Sequence, residues 1–102
     1  MKLIRLAVTY IMEDKYTQAW TPGYSAIKQE AKMENCRFSR VIGTDSDYML
    51  VGANLKTLMD LAVRLTLSIK AYNQRWDRND IFRADFNQIK HIDSELSYFD
   101  QY

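Results

Sequence analysis

Leu55, Leu58, Ala62, Leu65, Ile69, Tyr72 and Trp76 recur at spacings of three and four, and no other feature of the chain narrows its folds as much. Such spacing puts all seven side chains on one side of a helix, which must bury that side against something flat. Asn54, just before the run, is a residue type that caps helices by accepting a backbone N–H. Leu61, Val63, Leu67 and Met59 fall off the stripe, so the helix carries more apolar surface than one flat contact consumes. Leu61 and Met59 flank the stripe, and Leu67 points away from it.

Segments with period two can provide the flat partner this helix requires. In "LIRLAVTYIM", Ile4, Leu6, Val8 and Tyr10 share one face, while Leu3, Arg5, Ala7, Thr9 and Ile11 make the other face mixed. That pattern, rich in strand formers, predicts a strand with one buried and one half-polar face. "RFSRVIG-TDSD-YMLVGA" reads as a hairpin of two strands, Arg37–Ile42 and Tyr48–Ala53, around a Gly/Asp/Ser turn. "TPGYSAIKQEAKMENC" predicts a helix, with Thr21 as cap, Pro22 at the first helical position, and Tyr24, Ile27 and Ala31 on one side. "WTPGY" as a hairpin turn is the alternative.

The C-terminal part admits two readings. Phe82, Phe86, Ile89, Ile92, Leu96 and Phe99 recur at three and four, which favours a helix. A strand over Phe86–Ile92 would instead complete the order strand–helix–strand–strand–helix–strand of the ferredoxin-like motif. Either way the fold class is α+β, a small antiparallel sheet of three to four strands covered on one face by two or three helices. A length of 102 residues fits a single domain, 1–102, with its own core.

Several chemistries lose support at once. Lys plus Arg 14 against Asp plus Glu 13 leaves a net charge of +1, no electrostatic footprint for nucleic acid. One cysteine, Cys36, allows no internal disulfide and fits a reducing compartment, so a cytoplasmic location is expected. "MKLIRLAVTYIM" is interrupted by Arg5 and lacks a cleavage pattern, and no apolar run approaches a membrane span. The three glycines match neither a Walker sequence nor a dinucleotide fingerprint.

No catalytic, cofactor or metal site is expected. His91 is the only histidine; with Glu95 it makes an i, i+4 pair on a helix, read as a surface ion pair before a metal site. Asp45 and Asp47 form a D-x-D without the rest of a calcium loop and belong in a turn. Cys36 reads as a small buried hydrophobe before a nucleophile.

"YNQRWDRND" sets Trp76 between Arg75 and Arg78, the composition of an interface hot spot. Its place on the stripe favours a core role at the helix end, packed on Phe82 or Phe86. With the surplus apolar positions and the aromatic tail "SYFDQY", the residues expected to meet a partner are Leu61, Leu67, Arg75, Trp76, Arg78, Tyr98, Phe99 and Tyr102. The function expected is a non-enzymatic protein-binding module, an inhibitor or adaptor of the immunity or anti-host-defence type, working as a homodimer or hetero-complex. The alternative is a small nucleic-acid-binding domain using the sheet face, with Tyr10, Phe38 and Tyr48 as stacking residues beside Arg5, Arg37 and Arg40. An enzyme with a site shared across a homodimer ranks last.

Overall fold

The computed structural model describes residues 2–12 and 22–92. Its elements run β1 (Leu3–Ile11), α1 (Pro22–Met33), β2 (Arg37–Arg40), β3 (Asp47–Gly52), α2 (Leu55–Trp76) and β4 (Ile81–Ile92). The strands lie in the order β2-β3-β1-β4, with every neighbouring pair antiparallel. Element order and strand order together are those of the ferredoxin-like split βαβ arrangement.

Both helices pack on the sheet face that carries Ile4, Leu6, Val8, Tyr10, Phe38, Tyr48, Leu50 and Phe82, against Ile27 and Ala31 of α1 and Leu58, Leu61, Ala62, Leu65 and Ile69 of α2. Five rings fill one end of this core: Phe38 and Tyr48 stack at 4.7 Å, Tyr10 meets both edge-on, and Tyr24 and Phe82 close the group. A smaller cluster of Leu3, Met49 and Val51 is buried separately, on the opposite face. The alternation read in β1 is therefore the alternation between two faces of the sheet.

Local chemistry sets the ends of the elements. Asn54 Oδ1 accepts the Thr57 N–H at 3.1 Å and caps α2. Asn35 and Asp77 take φ of 56° and 53° after the two helices. Cys36 N–H reaches back to Ala31 O at 2.8 Å and Arg78 N–H to Asn73 O at 3.1 Å, the left-handed closure usual at helix C-termini. The β2–β3 connection is the expected turn, but Thr44 holds it together, its hydroxyl donating to Val41 O at 2.8 Å. β2 ends at Arg40, short of the predicted Ile42, although Val41 N–H still reaches Asp47 O at 2.9 Å in the register of the Arg40–Tyr48 pair.

The helix favoured for the C-terminal part is corrected: residues 81–92 are the edge strand β4. A register shift explains the misleading spacing. Phe82 pairs with Tyr10 and Ala84 with Val8, but Leu6 pairs with Ile89, so residues 86–88 are extra in β4. An uninterrupted strand would put Phe82 and Ile89, seven positions apart, on opposite faces. The bulge returns both to the helix-covered core, and seven positions is also two helical turns. Leu96 and Phe99, which extended the helical reading, lie outside the described residues.

Candidate protein-binding surface

The long helix sorts its apolar side chains by azimuth. Leu58, Ala62, Leu65 and Ile69 are buried as the stripe requires. Leu61, expected near a partner, is fully buried at 0% exposure. The core-facing sector of a helix exceeds 100° in width, and α1 closes the flank on which Leu61 sits. Arg64, on the same flank, reaches Glu30 at 3.3 Å and Glu34 at 3.1 Å across the helix pair. Leu61 is thus core, and the surplus is smaller than the stripe alone implied.

Off the stripe, the apolar side chains left exposed on α2 are the ridge Met59, Val63 and Leu67, at 38, 53 and 60% exposure. Steps of four residues keep the three side chains adjacent along the helix surface. Asp60 and Lys70, both exposed, border the ridge.

Trp76 has the core phase yet is 58% exposed, which corrects its assignment to the core. It is the last residue of α2; Asp77 then breaks the helix in the left-handed conformation and the chain turns into β4. Tyr72, one turn earlier, is only half-buried, so the final turn of α2 overhangs the packed layer. Phe82, the predicted packing partner of Trp76, instead lies 6.2 Å from Phe38 inside the core.

The overhanging turn is nevertheless ordered by its own contacts. The Arg75 guanidinium lies 5.4 Å from the Trp76 ring centre, and that of Arg78 lies 6.0 Å from Tyr72. Tyr72 and Trp76 are 6.4 Å apart. Arg78 Nε also meets the buried carboxylate of Asp80 at 3.4 Å, and Asn73 Nδ2 donates to Asp80 O at 2.6 Å. Two aromatic rings and two guanidinium groups thus occupy one helix end, anchored to the start of β4.

Leu67 and Trp76 stand nine residues apart, which at 100° per residue puts them on opposite sides of α2. The fold therefore separates the ridge from the Trp76 cluster, although residues of both were expected to meet a partner. Tyr98, Phe99 and Tyr102 lie outside the described residues.

The remaining candidates have plain placements. Tyr10, Phe38 and Tyr48 are buried on the helix-covered face, so none of them is available to stack on a base. Arg40 is exposed at the end of β2, and its charge opposes the rise that burial imposes on the Tyr24 and Tyr48 phenol pKa values. His91 sits on β4 rather than a helix, which removes the i, i+4 geometry proposed with Glu95, itself outside the described residues. Burial first, and the nearby Glu34 charge second, push the Cys36 thiol pKa up, away from the thiolate a nucleophile requires. Among the described residues, no group of three His, Cys, Asp or Glu side chains could hold a metal, and no helix is long and apolar enough to cross a membrane. Comparison with protein-family models, curated proteins and solved structures finds no match to this chain.

Proposed function

We propose that the protein is a non-enzymatic binding module that engages another protein, as an inhibitor or adaptor, through the end of α2. The observation that carries this reading is Trp76, exposed at the helix terminus with Arg75 against its ring and Tyr72 and Arg78 beside it. Trp, Tyr and Arg dominate the energetics of protein interfaces. They combine large apolar area with polar handles, and here their mutual contacts reduce the ordering cost of binding.

The ridge Met59–Val63–Leu67 supports a second contact on the opposite side of the helix, with a second copy or a stable partner. Nucleic acid as the partner loses its sheet-face stacking residues to the core. The test compares the wild-type chain, Trp76→Ala and Arg75→Ala as baits in lysate of the native host with and without nuclease treatment, with captured proteins identified by mass spectrometry. A protein captured by the wild type and lost from both variants, with unchanged thermal melting, supports the reading. Equal capture by all three baits, or capture only without nuclease, would refute it. Sedimentation of the wild type against Leu67→Lys tests the ridge separately.

A further inference from the structure

On the sheet face turned away from the helices, the β1–β4 register sets Arg5 directly opposite Lys90. Side chains so placed start about 5 Å apart, and like charges there repel. Neither residue forms an ion pair: those among the described residues join Arg64 to Glu30 and Glu34 and Arg78 to Asp80. The nearest strand position with a carboxylate is Asp85, opposite Ala7, and its Oδ1 accepts the Asn87 N–H at 3.0 Å within the bulge. Arg5 and Lys90 line one cleft of about 320 Å³, together with Thr9, Gln88, Asp47 and Asp85. Gln88 enters this cleft from the three extra residues of the bulge, a device that commonly re-aims side chains beside binding sites.

We propose that this cleft binds a compact oxyanion, the carboxylate or phosphate group of a small molecule, between Arg5 and Lys90. The Arg5 guanidinium offers paired N–H donors matched to such a group, Lys90 adds a second positive charge, and the Gln88 amide supplies a neutral donor. Asp47 and Asp85 border the same cleft and repel a second anionic group. The site therefore takes a single oxyanion rather than the continuous phosphate chain of a nucleic acid. The cleft lies on the face of the sheet opposite the helices and shares no residue with the α2 surface.

The test is a titration of the isotope-labelled chain with inorganic phosphate and, separately, with acetate, followed by amide NMR shifts at low salt. Saturable shifts centred on Arg5, Gln88 and Lys90 are expected with at least one anion, and the stronger of the two identifies the group. Lys90→Gln and Arg5→Gln should each weaken that binding about tenfold or more, the scale of one charged hydrogen bond. Lys56→Gln, an exposed charge on α2, should leave it unchanged. Absence of saturation with both anions, or equal affinity in Lys90→Gln and Lys56→Gln, would overturn the proposal. Tighter binding of a single-stranded RNA oligonucleotide at the same amides would overturn it as well.

Discussion

Leu61→Ala and Leu67→Ala remove the same atoms from one helix, and the fold requires opposite outcomes. Leu61 is fully buried between the helix pair and the sheet, whereas Leu67 is 60% exposed on the outer ridge. Truncating Leu61 withdraws three carbon groups from the core, a loss of about 2.4 kcal/mol at roughly 0.8 kcal/mol each. Every 40 Å³ or so left unfilled adds about 1 kcal/mol, so the total comes to about 3–4 kcal/mol. Leu67→Ala should stay within about 0.5 kcal/mol, as exposed changes do. Urea unfolding followed by circular dichroism reads both. For a slope of about 1.5 kcal/mol/M, the Leu61→Ala midpoint falls by about 2 M and the Leu67→Ala midpoint hardly moves. Measurement at two protein concentrations separates a ridge buried between two copies, since only then does the Leu67→Ala loss depend on concentration. An unchanged midpoint for Leu61→Ala, or equal concentration-independent losses for both, would refute the assignment of helix faces.

A Cβ on Gly52 would stand 2.9 Å from Cys36 Sγ and 3.3 Å from Leu58 Cδ2. Gly52→Ala should therefore lower the melting temperature, and Cys36→Ala in the same chain should recover part of that loss, a coupling that a double-mutant cycle measures. Asn35→Gly relieves a left-handed residue at the end of α1 and should stabilise by about 0.5–1 kcal/mol in urea unfolding. Burial raises Tyr24 and Tyr48 above their usual 10.0 and Cys36 above its usual 9.0. The unfolded chain then releases these protons at lower pH than the folded one, so stability should hold below about pH 9 and fall as pH rises through the folded values, seen as declining melting temperatures. Binding of short RNA at about 150 mM salt should be no tighter than the non-specific range of roughly 10⁻⁴–10⁻⁶ M, since Tyr10, Phe38 and Tyr48 are core; fluorescence anisotropy measures it.

Periodicity in the sequence determined the elements whose burial pattern is uninterrupted. β1 alternates between core and open face, α1 begins at Pro22, and α2 runs from its Asn54 cap with Leu58, Ala62, Leu65 and Ile69 inward. Each is a local geometric rule, period two or 3.6, that residues carry in their spacing alone. What tertiary structure decided lies where a neighbour changes the rule. Leu61 is core because α1 covers its flank, a fact held in the position of a second helix. Trp76 keeps the phase of the stripe but extends past the packed layer, since phase is local and the extent of the covering layer is not. The three extra residues of β4 give a strand the spacing of a helix, and only pairing with β1 distinguishes the two. The cleft of Arg5 and Lys90 was hidden for the same reason. These residues are 85 positions apart, and only the strand register sets them side by side.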